Sequence, residues 1–307
     1  MLNIIQKRKY TYIFSILMVG ISIVAISTWG LRLGIDFVGG TLMEFKISDD
    51  REVTRDALCE KLQDKCDDSF IVSQSTGEHG KSIIIRYKGS DEAFNQQVIK
   101  AVKELDPNAG QLKSDFIGST VSKQLKDNAL KAIFLAVVAM LLYIAWAFRK
   151  VSVPVSSWYY GLGAVIALAH DIIITVGVFA LLGHFVGREV GVPFIAALLT
   201  ILGYSVNDTI VVYDRIRENV LRTRSLANFE ELVNKSLNET MARSINTSLT
   251  VVLVLMPIIL FGGDSLFNFS LALLIGVLFG TYSSMFIATA LIVSIYDFKK
   301  KLATNKK

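Results

Sequence analysis

Six long apolar stretches constrain this chain more than any other feature of its sequence. A helix that crosses a lipid bilayer needs about 20 predominantly apolar residues, and six segments of the 307-residue chain approach or exceed that length. They carry almost no charged side chains and comprise residues 10–29, 132–148, 158–183, 190–213, 244–263 and 265–296. The sequence therefore predicts an α-helical integral membrane protein with a bundle of six transmembrane helices, which excludes an ordinary soluble enzyme.

Acidic residues concentrate between the first and second predicted spans, where residues 31–128 contain 17 of the 27 Asp and Glu residues. Apolar periodicity in this block predicts elements in the order β-α-β-β-α-β. The elements are a strand over 41–48, a helix over 51–63, strands over 68–75 and 81–88, a helix over 91–105 and a strand over 111–117. This order is typical of a ferredoxin-like domain.

The distribution of Lys and Arg predicts the orientation of the chain, because cytoplasmic loops carry an excess of these residues. Cations cluster at 7–9, 149–150, 215–243 and 299–307, whereas the short loops on the other side contain only Arg188. We therefore expect both termini in the cytoplasm. The predicted divisions are the N-terminus with the first helix over 1–30, a periplasmic domain over 31–128, five helices over 129–298 with a cytoplasmic loop at 214–243, and a basic tail over 299–307.

Two cysteines, Cys59 and Cys66, lie in the predicted periplasmic domain. An oxidising compartment permits a disulfide between them, and two free thiols are the alternative. A pair at this spacing with no histidine beside it does not indicate a zinc site.

Ionisable residues inside the predicted spans are the strongest functional indication in the sequence. An Asp at the centre of a membrane helix costs about 2.5–3.5 kcal/mol on insertion scales, so it needs a partner or a path to water. Asp171 lies beside His170 in the third span, Asp208 beside Asn207 in the fourth, and Arg243 at the start of the fifth. We expect these five side chains at overlapping depths, in one polar seam between packed helices.

The seam allows two interpretations. A buried carboxylate can take up and release a proton, which predicts a proton or ion path. Alternatively, polar side chains hydrogen-bond across helices and contribute about 0.6 kcal/mol per pair. The ionisable group favours the first interpretation for Asp208, whereas Asp171 is open to both because it can simply pair with His170.

Two further patterns concern helix packing. Gly276, Gly280 and Ser284 recur every four residues in the sixth span, which predicts a small-residue face for close helix contact. The charged stretch 214–241 is weakly amphipathic, which predicts a helix lying on the membrane surface or a surface that docks a partner.

Several motifs are absent from the sequence. It contains no nucleotide-binding G-x-x-x-x-G-K-[ST] loop, no H-E-x-x-H and no C-x-x-C. We therefore expect no ATP-driven motor, no enzymatic activity, no cofactor and no metal site. The excess cations flank apolar runs, so the net charge of +5 does not indicate nucleic-acid binding.

Two long motifs carry a family resemblance. Residues 34–41 read Gly-Ile-Asp-Phe-Val-Gly-Gly-Thr, and residues 203–219 read Gly-Tyr-Ser-Val-Asn-Asp-Thr-Ile-Val-Val-Tyr-Asp-Arg-Ile-Arg-Glu-Asn. Together with 169–171 and 242–247, they resemble the SecD/SecF family of bacterial protein-export membrane proteins, within the RND superfamily. The resemblance covers the whole chain, although residues 117–121 lack the Gly-Pro that the family usually has there.

The resemblance implies an inner-membrane subunit that acts with SecD, the SecYEG channel and YajC on secretory preproteins. It implies use of the proton motive force in late translocation, with Asp208 as the proton-binding carboxylate and Arg243 as its cationic counterpart. Residues 34–41 would then join the first span to the periplasmic domain, and their junction residues are Gly34, Asp36, Gly39 and Gly40. For Asp36, a merely local cap is the alternative. A proton-coupled exporter of small or lipid molecules and a non-coupling scaffold remain alternatives.

Overall fold

The computed structural model of the protein describes residues 2–62, 66–67, 69–77, 80–89, 91–147, 157–223 and 228–304. The cationic cluster predicted at 149–150, part of the cluster at 215–243 and the last residues of the basic tail lie outside these described residues.

The first span and a single helical turn precede a small sheet domain. The span is α1 (Arg8–Thr28), and the turn is α2 (Ile35–Val38). The domain, called the α/β domain below, then comprises β1 (Gly40–Lys46), α3 (Arg55–Lys61), β2 (Ile71–Gly77), β3 (Gly80–Tyr87), α4 (Glu92–Leu105) and β4 (Gly110–Ile117). Its four antiparallel strands lie in the order β2-β3-β1-β4. This is the split βαβ arrangement, and the predicted ferredoxin-like fold is confirmed.

Side-chain caps set where the two helices of the α/β domain begin. Thr54 accepts a hydrogen bond from the Ala57 amide at 3.3 Å, and Asp91 accepts one from the Ala93 amide at 3.0 Å, as is usual for N-cap residues. α3 begins later than the predicted helix over 51–63, because Thr54 caps its first turn. Val53 lies in the irregular segment before the cap and packs into the core. Both helices cover one apolar face of the sheet. The core between them is formed by sheet and helix residues, which include Met43, Phe45, Ile83, Ile85, Leu58, Val98 and Val102.

Cys59 and Cys66 form a disulfide that joins α3 to the segment before β2. Of the two alternatives for these cysteines, the structure therefore contains the bridge rather than free thiols. Closing a loop with a sequence separation of 7 stabilises the folded domain by about 2–3 kcal/mol in the chain-entropy model.

The remaining five spans form the bundle together with α1. They are α5 (Ser119–Ala147), α6 (Ser157–Val186), α7 (Val192–Thr223), α8 (Phe229–Phe261) and a sixth span made of α9 (Gly263–Ser283), a π-helical turn (Ser284–Ala288) and α10 (Thr289–Thr304). Six helices of the described chain are long and apolar enough to cross a membrane, so the predicted number of spans is confirmed. α5 begins directly after β4, so the boundary predicted at residue 128 lies inside this helix.

The N- and C-terminal parts of the chain lie at one end of the bundle, and the α/β domain lies at the other. The chain termini meet at one end, called the terminal side, where Leu2 hydrogen-bonds to Asn238 and Arg8 pairs with Asp297. The α/β domain lies at the opposite end, called the domain side.

The prediction of a surface helix over 214–241 is wrong. α7 continues without a break to Thr223, and α8 begins at Phe229, so the described residues of the stretch belong to the ends of two spans. These ends pair through Arg215 with Glu239 at 2.6 Å and through Asn219 with Ser236 at 2.9 Å. The apolar residues that indicated a membrane-facing stripe are instead buried in the bundle core; they are Phe229, Leu232, Val233 and Leu237.

α7 lies at the centre of the bundle and packs closely against the small-residue face of α9. A Cβ added at Gly276 would overlap the Ile201 side chain, and one at Gly280 would lie 3.2 Å from the Ser205 Cβ. Ser284, the third member of the predicted face, is fully buried at the start of the π-helical turn. Small residues therefore bring the sixth span close enough for its hydroxyl groups to reach the interior of the bundle.

Substituting Gly276→Ala should lower the stability of the purified protein by about 1–3 kcal/mol, because the added methyl group overpacks the contact with Ile201. Thermal unfolding in detergent measures the effect. Gly20→Ala is the matched control, since a Cβ on Gly20 of α1 meets nothing within 4 Å. Equal melting temperatures for the two variants would show that close approach at Gly276 is not needed.

Candidate functional site

Two carboxylates lie in the interior of the bundle. Asp171 of α6 is 0% exposed and Asp208 of α7 is 7% exposed. Removing an ionised carboxylate from water is very costly unless neighbouring groups compensate the charge. The groups around these two residues therefore define the candidate site.

Asp171 has three close partners from three spans. Its Oδ1 lies 2.9 Å from Nδ1 of the neighbouring His170, and its Oδ2 accepts hydrogen bonds from Ser205 at 2.6 Å and Ser283 at 2.8 Å. The His170 ring is 6% exposed, and its Nε2 has no hydrogen-bond partner among the described residues. The imidazole therefore holds Asp171 with one nitrogen and keeps the other free.

Asp208 is held by two neutral hydroxyl groups. Ser244 of α8 donates to Oδ1 at 2.5 Å, and Ser284 of the π-helical turn donates to Oδ2. Both serines are buried. Neutral donors solvate a carboxylate without fixing its charge, so this residue can exist with or without a proton.

Two consecutive residues of the sixth span hydrogen-bond to the two carboxylates: Ser283 donates to Asp171, and Ser284 donates to Asp208. The helix changes from α to π geometry at this point, and single π turns within α-helices are frequent at functional sites. Of the five residues predicted for the polar seam, the structure brings His170, Asp171 and Asp208 together around the start of the π-helical turn.

Hydroxyl groups extend the seam by one helical turn toward the domain side. Tyr204 and Ser248 share a hydrogen bond of 2.8 Å, and the Ser248 and Thr281 hydroxyls bond to each other. These residues come from α7, α8 and α9, the three helices that meet around Asp208. In the described part of the chain, no three His, Cys, Asp or Glu side chains cluster as a metal site.

Two predicted members of the seam lie outside it. Asn207 is exposed, because successive residues of a helix point about 100° apart and Asp208 points inward. Arg243 is also exposed, and its influence on Asp208 is a longer-range electrostatic one. The close counterpart of Asp208 on α8 is therefore the adjacent Ser244.

Ser244 is not among the residues predicted for the seam, although the sequence contains a pattern that indicates it. Thr240, Ser244 and Ser248 recur every four residues and are all buried. That spacing places three hydroxyls on one face of α8. Charge alone favours Arg243 as the partner of Asp208, but the helical period places Thr240, Ser244 and Ser248 on the inward face and Arg243 outside it.

The predicted junction residues connect α1, the α/β domain and the start of α7. The Gly34 amide donates to the Val190 carbonyl at 2.9 Å, and Asp36 Oδ2 accepts from the Val192 amide at 2.7 Å. Asp36 therefore caps α7, a distant helix, and not a local turn. Gly39 and Gly40 have φ angles of 77° and 126°, a region that favours glycine, and a Cβ on Gly40 would overlap the Tyr87 carbonyl oxygen.

A cluster of three charged residues also joins the α/β domain to the bundle. Arg86 of β3 pairs with Glu189 in the loop between α6 and α7, and Arg32 Nε lies 3.6 Å from the same carboxylate. Glu189 is only 9% exposed. Burial raises the pKa of Glu189, and the two guanidinium groups oppose that shift.

Reversing one charge of this pair should weaken the attachment of the α/β domain. Arg86→Glu or Glu189→Arg should each destabilise the protein by up to about 3–5 kcal/mol, since breaking a buried pair leaves an uncompensated charge. The double reversal should recover part of the loss. Thermal unfolding and limited proteolysis of the purified protein measure both effects.

Lys61→Glu is the control for the charge change, because Lys61 pairs with Glu104 at 3.4 Å on the exposed surface. It should change stability by about 1 kcal/mol or less. A double reversal as unstable as either single variant would argue against a pairwise contact between Arg86 and Glu189.

Comparison with known proteins places this architecture in a family. Residues 97–297 match the model of the C-terminal region of the protein export membrane proteins SecD and SecF, and residues 24–50 match the SecD/SecF GG motif. The protein translocase subunit SecF of Thermobaculum terrenum is 39% identical over 305 residues, covering 96% of this chain and 94% of that protein. SecF of Haemophilus influenzae is 36% identical over 288 residues, covering 93% and 83% respectively.

A solved structure shows the same fold. The crystal structure of SecDF from Thermus thermophilus, a translocon-associated membrane protein, superposes with a TM-score of 0.82 at 32% identity and covers 96% of this chain. The chain spans 39% of the length of that SecDF chain. The family matches, the near-complete coverage of the SecF relatives and the shared fold establish that this chain belongs to the SecD/SecF family of protein-export membrane proteins.

Proposed function

We propose that this chain is the SecF-type subunit of a Sec protein translocase, in which it acts with a SecD partner to use the proton motive force in late preprotein translocation. The observation that carries the proposal is Asp208, a buried carboxylate in the membrane bundle whose direct partners are the neutral hydroxyls of Ser244 and Ser284. The SecF names of the relatives and the SecDF likeness support the translocase assignment.

The surroundings of Asp208 favour reversible protonation over a structural role. A hydroxyl group can donate to a carboxylate and can also accept from a carboxylic acid. Both charge states can therefore be hydrogen-bonded by Ser244 and Ser284, which a fixed ion pair with a cation would not permit. Arg243 at longer range provides positive potential without committing the site to the charged form.

Proton movement supplies enough energy for a conformational step. Moving one elementary charge across a membrane potential releases about 2.3 kcal/mol per 100 mV, and a few kcal/mol separates a well-populated state from a rare one. We assign the same role, as a second proton-binding group, to Asp171 with His170. The free Nε2 of this histidine gives a proton a place to enter or leave.

The proposal places the protein in the bacterial inner membrane with both termini in the cytoplasm and the α/β domain in the periplasm. The cationic terminal side supports this orientation. The SecD partner is supported by the likeness to SecDF and by the SecF names of the relatives. The further partners would be the SecYEG channel, YajC and secretory preproteins; no enzymatic step or cofactor is assigned.

Asp208→Asn should abolish the part of preprotein export that depends on the proton motive force. Asparagine resembles the protonated carboxylic acid in size and cannot release its proton. The loss should be about tenfold or more, since about 2.3 kcal/mol per 100 mV no longer drives the step. Pulse-chase export of a secreted protein measures the loss, with membrane abundance and SecD co-purification determined in the same cells.

Asp214→Asn is the matched control, because it is the same substitution on the same helix at a side chain that is 67% exposed. It should export normally. Normal export by Asp208→Asn in an intact complex would reject proton coupling at this residue and favour a scaffold. Loss of the complex would show that Asp208 is needed for assembly, which the proposal does not expect.

A further inference from the structure

Ser283 and Ser284 connect two carboxylates that belong to different helices. The Ser283 hydroxyl lies 2.8 Å from Asp171 Oδ2, and the Ser284 hydroxyl bonds Asp208 Oδ2. Both serines are 0% exposed. Since the two residues share one peptide bond, a movement of either changes the position of the other.

Each of these hydroxyls has a second acceptor within reach. Ser283 Oγ lies 3.1 Å from the Gly280 carbonyl oxygen, and Ser284 Oγ lies 3.0 Å from the Thr281 carbonyl oxygen. A serine carries a single hydroxyl hydrogen, so it donates fully to the carboxylate or to its own helix. A charged carboxylate is the stronger acceptor, and a protonated one competes less well with the helix carbonyl.

The backbone at this position is suited to respond to such a change. The π-helical turn begins at Ser284, and a carbonyl of the preceding α-helix accepts each serine hydroxyl when it turns back. A Cβ on Gly280 would lie only 3.2 Å from the Ser205 Cβ, so α9 packs tightly against α7 within one helical turn of the two serines.

We propose that Ser283 and Ser284 are positioning residues that make the protonation of Asp171 and Asp208 mutually dependent. A proton that arrives on Asp208 forms an O–H bond at the carboxylate, and the Ser284 hydroxyl turns to the Thr281 carbonyl. The resulting shift of the π-helical turn alters the bond from Ser283 to Asp171. This inference rests on the proposed proton-binding role of Asp208.

Other ionisable groups face each carboxylate separately. His170 contacts Asp171, and the Tyr282 ring lies 6.1 Å from that imidazole ring. Arg243 of α8 acts on Asp208 at longer range. Within the described residues, Ser283 contacts Asp171 and Ser284 contacts Asp208. This pair of neighbouring residues therefore links the two carboxylates directly.

Infrared titration of the full-length protein in nanodiscs tests the coupling. The C=O band of a protonated carboxyl group reports each Asp, and Asp171→Asn and Asp208→Asn assign the bands. In the otherwise unchanged protein, Asp208→Asn should shift the titration midpoint of Asp171 by about one pH unit, as expected for interacting sites. In Ser283→Ala/Ser284→Ala the same Asp208 substitution should leave that midpoint unchanged.

Ser270→Ala is the matched control, because Ser270 of the same span is also 0% exposed but its hydroxyl has no hydrogen-bond partner among the described residues. It should keep the full shift. Ser283→Thr/Ser284→Thr, which retains both hydroxyls, should restore the shift and provides a second variant if the alanine pair does not fold.

A shift of Asp171 that persists in the alanine pair would overturn the proposal, since direct electrostatic interaction between the carboxylates would then suffice. The proposal would also be overturned if Asp208→Asn did not shift the Asp171 midpoint in the protein that retains both serines. The titration is measured without export, so loss of coupling here leaves the Asp208→Asn export result, and with it the proposed function, to be judged separately.

Discussion

The rest of this membrane bundle depends on how two buried carboxylates are solvated. The bundle solvates Asp208 with hydroxyls from α8 and the sixth span, and it solvates Asp171 with an imidazole and two hydroxyls. Hydroxyls reach the carboxylates only if the helices lie close together, and close approach requires Gly276 and Gly280 on the facing surface. The small-residue face, the π-helical turn and the buried serines are thus parts of one arrangement.

Sequence patterns predicted the architecture well because they reflect strong and simple constraints. Span length follows from bilayer thickness, and the order of elements in the α/β domain follows from alternating and helical periodicity, so six spans and a ferredoxin-like sheet were both foreseen. The carboxylates were foreseen for the same reason, since an ionisable residue inside an apolar run is conspicuous. The resemblance of residues 34–41 and 203–219 to a known family then supplied the roles that composition alone leaves open.

The predictions that the structure corrects concern which way side chains point around a helix axis and where helices end. Asn207 and Arg243 flank the seam in sequence but face outward, and Ser244 takes the inward position beside Asp208. The stretch 214–241 carries charges and apolar residues in a pattern that suits a membrane surface, yet two antiparallel helix ends bury the apolar side against each other. A single amphipathic pattern cannot distinguish a lipid surface from a protein surface.

The cap that Asp36 provides at α7 has a mechanical consequence. α7 contains 32 residues and is therefore about 48 Å long, with Asp208 about half-way along. A packed α-helix resists compression, so an axial displacement generated near its midpoint reaches its first amide groups almost undiminished. The first of those amides, that of Val192, is held by Asp36, four residues before the start of β1, so a displacement of α7 driven by the proposed proton coupling would act directly on the base of the α/β domain.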